Sequence, residues 1–277
     1  MSAIEAAKKL AATKAVAENF HPEYRYIGIG SGTTIVYVVE AIKDLGIPTD
    51  QMSFVPTGYQ SRQLIIKAGF KPLTFDSIPP DTLLDVCFDG ADEVDEELNC
   101  IKGGGACLHQ EKLVATHSKK FVCVADYRKL QRRLLTEWKT IPIEVEPLAI
   151  NSVVAQLINE LGSLGPRVRD GTQDKAGPAK TDQGNFIVDA PFAPLLLASD
   201  VAAQGSGFIQ GKTGWEVTAL ATRIKCIEGV LSVGIFSGEN GEHALARGIK
   251  MGGQKPSVVY FGMADGSVTV KRASGVL

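Results

Sequence analysis

Apolar positions along this chain change their spacing repeatedly. From Ile4 to Ala17 they recur every three or four residues, which predicts a helix, and Tyr26-Ile27-Gly28-Ile29-Gly30 has the character of a short buried strand. Helix 34–42, strand 53–56, helix 60–68, strand 84–88, helix 110–116 and strand 121–124 continue the series. Alternation of this kind predicts an α/β fold: a Rossmann-like parallel sheet with helices on both faces.

The pattern changes near residue 140. A short strand bracketed by prolines, 141–147, is followed by an amphipathic helix, 152–161, a Gly- and Asp-rich hairpin loop at 170–184 and a strand at 185–189. A helix at 215–226 and a strand at 230–236 complete a smaller α+β unit, after which 238–253 reads as a glycine-rich loop. The last strands, 257–261 and 267–271, are expected to return to the first sheet. The expected domains are therefore 1–140 with 238–277, carrying the chemistry, and 141–237, a smaller α+β domain making contacts between subunits.

Composition narrows the class. The 277 residues are 44% hydrophobic and 22% charged, and 29 Lys plus Arg against 31 Asp plus Glu leave no positive excess for general nucleic-acid binding. Five cysteines without a Cys-x-x-Cys pair point to reduced thiols in a cytoplasmic compartment and speak against a structural zinc site. No apolar run approaches the ~18 residues of a membrane span, and Glu5 and Glu18 interrupt any signal-peptide core. With 7% aromatic residues, long stacking platforms are not expected either.

In an open parallel sheet ligands gather beyond the carboxyl ends of the strands. Three segments there stand out. Gly28-Ile29-Gly30-Ser31-Gly32-Thr33-Thr34 leads from strand to helix and could cradle a single phosphate on backbone N–H groups and hydroxyls; a plain glycine turn with a Thr cap is the alternative. It is neither a dinucleotide fingerprint, since the third glycine position is Thr33, nor a P-loop, since no Lys follows at the required spacing.

The second segment, Asp89-Gly90-Ala91-Asp92-Glu93-Val94-Asp95-Glu96-Glu97, carries six carboxylates. Asp89 and Asp92 lie nearest the strand end, whereas Glu93 to Glu97 are expected to face water. The spacing does not fit a calcium loop and no His accompanies it, so no metal is expected. The third, Lys102-Gly103-Gly104-Gly105-Ala106-Cys107, combines close backbone approach with a cation able to stabilise an oxyanion, and Glu111, nine residues after Lys102, is a candidate general base. Cys107 and the four scattered histidines read as packing or surface residues.

Taken in order, 28–34, Phe88 to Asp95 and Lys102 to Lys112 resemble ribose-5-phosphate isomerase of the A type. The resemblance extends through Val55 to Leu64, Ala125 to Lys129, Ile141 to Val145 and Tyr260 to Val268, and so covers nearly the whole chain. It implies a cofactor-free aldose–ketose isomerase of the pentose phosphate pathway, a sugar-phosphate substrate and a homodimer or homotetramer. The family's general base then falls on Glu111. Its substrate-contacting stretches fall on Ser31, Gly32, Thr33 and Thr34, on Asp89, Gly90, Ala91 and Asp92, and on Lys102, Gly103, Gly104 and Gly105, with Lys129 as a further contact. Lys8 or the adjacent Lys9 matches a ligand-contacting lysine of the first helix. Segments 196–213 and 238–256 look like expanded loops, away from the matched motifs. A non-catalytic sugar-phosphate sensor is the competing class, though it should bring a basic DNA-reading module, and none is visible here; an enzyme of similar fold acting on an amino-sugar phosphate or a coenzyme A ester fits the spacing from Lys102 to Glu111 less well.

Overall fold

The computed structural model describes residues 2–171 and 175–273. Its first elements are α1 (Ala3–Asn19), β1 (Tyr26–Ile29), α2 (Thr33–Asp44), β2 (Ser53–Pro56), α3 (Tyr59–Ala68), β3 (Val86–Asp89), β4 (Glu93–Val94), β5 (Cys100–Ile101), α4 (Leu108–Thr116) and β6 (Phe121–Asp126). There follow β7 (Thr140–Val145), α5 (Ile150–Asn159), β8 (Arg167–Val168), β9 (Phe186–Pro191), α6 (Ala198–Gln204) and α7 (Val217–Lys225). The chain continues with β10 (Val230–Val233), β11 (Ile235–Phe236), α8 (Gly241–Ala246), β12 (Val258–Gly262) and β13 (Val268–Arg272).

Two compact units result. The first comprises 1–91, 110–130 and 238–277 and is built on a six-stranded sheet in the order β13-β12-β6-β3-β1-β2. All neighbours pair in parallel except β13, which runs antiparallel to β12 at the edge. Ile27, Ile29, Val86, Phe88, Val122 and Val124 turn one face onto α1 and α2 in a closed apolar core, each large side chain contributing roughly 1.5–3 kcal/mol by its burial. The opposite face receives α4: a Cβ on Gly28 would stand 2.6 Å from Val114 Cγ1, so glycine there permits the helix to approach. Small residues of α1, Ala7, Ala11, Ala12 and Ala15, are fully buried, and the backbone of Ala7 occupies the space a side chain at Gly262 would need.

The second unit, 92–109 with 131–237, holds an antiparallel four-stranded sheet, β10-β7-β9-β8, and a small sheet β11-β5-β4. Ile141, Ile143, Val145, Val188 and Ala190 pack under Val153 and Leu157 of α5 and Leu220 and Ile224 of α7.

Several expectations change. The units do not divide at residue 140: 92–109 and 131–140 join the second unit, because β5 pairs with β11 and Glu93 binds backbone N–H groups at 135–138. The expected strand 230–236 is two strands in different sheets, separated at Gly234, whose N–H donates to Pro142 O. Segment 238–253 is not all loop, since Asn240 caps α8 through a bond from His243 N. Segment 196–213 likewise contains α6, whose Asp200 binds Arg133 bidentately. In the hairpin loop 170–184 the described ends close on one another, Gly171 N to Gly177 O at 3.0 Å; residues 172–174 lie outside the described residues. Among the described residues no helix is long and apolar enough to cross a membrane.

Candidate active site

In the first unit the strand order reverses at β1, with β2 on one side and β3 on the other, so the carboxyl ends of β1 and β3 form the ligand-collecting crevice of an open sheet. Ser31 and Gly32 leave β1 there, and Thr33 and Thr34 open α2. Asp89, 1% exposed, ends β3 and accepts from Gly90 N at 2.7 Å and Ser31 N at 3.3 Å. Gly30 is required beside it, because a Cβ there would strike the Asp89 carboxylate and approach its Cα to 2.7 Å. Ala91 follows, half-buried.

Two residues that sequence reasoning passed over hold this loop. Thr57 Oγ1 lies 3.0 Å from Ser31 Oγ, and Gln60 Oε1 accepts from Gly32 N at 2.8 Å. Both follow β2, at a strand-to-helix turn of the same kind as 30–34, which was the available signal. Of the two lysines, Lys8, 9% exposed, donates to Thr33 Oγ1 at 2.9 Å, while Lys9 is exposed. Glu5 accepts from both Lys8 Nζ (2.8 Å) and Tyr37 OH (2.7 Å), which hold its carboxyl below the usual range.

Glu111 sits in the first turn of α4 and is 5% exposed. The same helix is tied to 238–256, because Lys112 Nζ donates to Gln254 Oε1 at 2.8 Å and Gly252 N to Thr116 O at 3.0 Å; that segment is therefore not remote from the matched motifs. Lys129 lies in the turn after β6. Asp126 shapes that turn by accepting from Arg128 N, Nε and Nη2. Burial pushes the Asp126 carboxyl up, but the Arg128 guanidinium outweighs it and holds the group below the usual carboxylate range.

In the second unit Asp92 and the triple glycine come together. Gly104 N donates to Asp92 Oδ2 at 2.7 Å, so of the three glycine N–H groups expected to face substrate, that of Gly104 is occupied by a side chain. Lys102 is 3% exposed, with Nζ 5.5 Å from the centre of the Phe236 ring. Its backbone N–H donates to Gly234 O at 2.8 Å, and the close approach of Gly234 to Lys102 O leaves no room for a side chain at 234.

The acidic run does not face water as expected. Glu93 is 1% and Asp95 0% exposed. Glu93 accepts from Leu135 N (2.5 Å), Glu137 N (2.7 Å) and Trp138 N (3.1 Å), while Asp95 accepts from Glu97 N, Asn99 N and Asn99 Nδ2 and shapes the turn between β4 and β5. Glu97 caps α6 through Ala198 N and Ser199 N, leaving Glu96 exposed. Carboxylates that accept several backbone N–H groups can be buried without a counter-ion. Among the described residues no group of three or more His, Cys, Asp or Glu could hold a metal ion.

The family model described as ribose 5-phosphate isomerase A (phosphoriboisomerase A) matches residues 53–248. A ribose-5-phosphate isomerase of Schizosaccharomyces pombe is 46% identical over 277 residues, spanning 99% of this chain and 86% of the relative. Among solved structures, a D-ribose-5-phosphate isomerase in complex with phospho-erythronic acid is 29% identical with a TM-score of 0.77, over 98% of this chain and 100% of the other. The ribose 5-phosphate isomerase of Plasmodium falciparum is 27% identical with a TM-score of 0.75, over 97% and 99%. With the family model matching 53–248 and a relative 46% identical over 99% of its length, the chain belongs to the ribose 5-phosphate isomerase A family.

Proposed function

We infer that the chain interconverts D-ribose 5-phosphate and D-ribulose 5-phosphate. The observation that carries this reading is family membership along 99% of the chain at 46% identity to a protein of that name. The reaction moves a carbonyl from C1 to C2. A base takes the proton from C2, leaving a cis-enediolate charged at O1; the proton on O2 passes to O1, and the base returns its proton to C1. One carboxylate on one face of the enediolate serves both transfers.

Glu111 is that base, supported by its burial in the first turn of α4. Lys102 and the N–H groups of Gly103 and Gly105 hold the enediolate charge, in keeping with a lysine buried beside the exposed Gly104 and Gly105. Asp89 and Asp92 bind sugar hydroxyls and assist ring opening. Ser31, Gly32, Thr33 and Thr34 take the 5-phosphate, with Lys8 supplying a cation at Thr33 and Lys129 another. Gly90 and Ala91 contact the sugar through their backbone. No cofactor or metal enters the mechanism. A cytoplasmic location is in keeping with five cysteines that form no disulfide among the described residues, and a homodimer or homotetramer with the 94% and 72% exposure of Leu148 and Leu164.

The test is conversion of ribose 5-phosphate by the wild-type chain and by Glu111→Gln. The variant is expected to lose about 10²- to 10⁴-fold in kcat and in proton exchange at C2, while still binding phospho-erythronic acid. Retention of most activity overturns the base assignment. A sensor would bind the sugar phosphate and leave it unconverted.

A further inference from the structure

The carbonyl groups of the triple-glycine loop have a partner that nothing above assigns to the reaction. Arg169 lies just beyond β8, its backbone fixed by Arg169 N to Ile187 O (2.8 Å) and Ala179 N to Arg169 O (2.9 Å). Its Nη1 donates to both Gly103 O and Gly104 O, each at 3.0 Å. The rest of the guanidinium is anchored bidentately on Asp189 of β9, Nε to Oδ2 at 2.8 Å and Nη2 to Oδ1 at 2.6 Å. Both side chains are largely buried, 19% and 24% exposed.

A trans peptide directs its C=O and N–H to opposite sides. The Gly103–Gly104 peptide obeys this with both ends tied, its C=O to Arg169 and its N–H to Asp92. The Gly104–Gly105 peptide has its C=O tied to the same guanidinium, so the Gly105 N–H is turned away from Arg169. Gly105 is exposed, and a Cβ there would meet nothing within 4 Å. A cation on the carbonyl also polarises the peptide and strengthens its N–H as a donor.

We propose that Arg169, anchored by Asp189, is a positioning residue that sets the orientation of the glycine-loop peptides and presents the Gly105 N–H to the enediolate oxygen. The proposal rests on the reading of the glycine loop as the oxyanion-holding element. The guanidinium suits the task because its planar fork can meet a carboxylate and two carbonyls at once, which an ammonium cannot.

The test is the kinetics of Arg169→Ala, Arg169→Lys and Asp189→Asn with ribose 5-phosphate, each variant checked for fold by circular dichroism. Arg169→Ala is expected to lose about 10- to 100-fold in kcat with KM within about twofold. Arg169→Lys is not rescued, and Asp189→Asn loses about three- to tenfold, since its guanidinium keeps the carbonyls but loses a charged anchor. Free guanidinium at non-denaturing concentration restores part of the Arg169→Ala rate and none of that of Glu111→Gln. Folded Arg169→Ala or Arg169→Lys with kcat within about twofold of wild type overturns the proposal, as does a loss that only tracks the folded fraction; if the alanine variant does not fold, the lysine and asparagine variants decide. Inactivity of the wild-type chain would instead overturn the functional reading, so the two failures are distinct.

Discussion

The two glycine loops are held in different ways. The loop at 30–34 stands where a largely buried parallel strand ends and a twelve-residue helix begins, and its ties are short: Ser31 to Thr57, Gly32 to Gln60, Ser31 N to Asp89. The loop at 102–105 leaves a two-residue strand, a frame too short to fix it, and is held by Asp92, by Arg169 and, behind Arg169, by Asp189. The loop framed by the longer elements relies on clearance and on two neutral bonds, with one bond to the Asp89 carboxylate and one from Lys8 beside them. One framed by fragments needs charge-assisted bonds brought from distant sequence.

That contrast can be broken first at the glycines. Gly30→Ala is expected to destabilise the protein by about 1–3 kcal/mol through overpacking against Asp89, whereas Gly105→Ala, with open space at its Cβ, stays within about 0.5 kcal/mol of wild type; urea unfolding midpoints measure both. Equal effects would erase the distinction. A smaller change sharpens the neutral side: Thr57→Val keeps the shape but removes the Ser31 partner, which should raise KM for ribose 5-phosphate roughly fivefold, about 1 kcal/mol, with kcat little changed. An unaltered KM would remove Thr57 from the support of the first loop.

A further effect concerns pH. Burial pushes the Asp95 carboxyl up to about 7, against the lowering by its Asn99 and Glu97 hydrogen bonds. A folded-state value above the unfolded one means that the native state binds the extra proton, so this contribution to stability is full below about pH 4 and is lost as pH rises towards 7. Asp95→Asn should flatten that slope in unfolding midpoints measured from pH 4 to 8. The turn leading into the second loop would then be the pH-sensitive one.

Much of the fold is legible in the sequence because its strands and helices are long enough to show a period. β1, α2, β2, α3 and β6 lie within a few residues of where the apolar pattern puts them. β4, β5 and β11, two residues each, are too short to have a period, and their pairing moved 92–109 into the second unit. Asp89, Lys102 and the glycines are legible as unusual residues at strand ends, and Glu111 by its spacing and the family resemblance. Glu93 and Asp95 were misread because their partners are backbone N–H groups, which no composition reveals. Arg169 was invisible for a related reason: its acceptors are carbonyls some 65 residues away along the chain.

The discontinuity of the first unit bears on biosynthesis. β12, which fills the place between β6 and the edge strand β13, lies at Val258–Gly262, and β6 is buried along its whole length in the finished sheet. A nascent chain that has already made Phe121–Asp126 therefore carries an apolar strand with one unpaired edge until β12 leaves the ribosome. Residues 131–237 of the second unit are synthesised during that wait, so the interval in which this edge can pair wrongly with another chain is set by the length of that insertion rather than by the sheet itself.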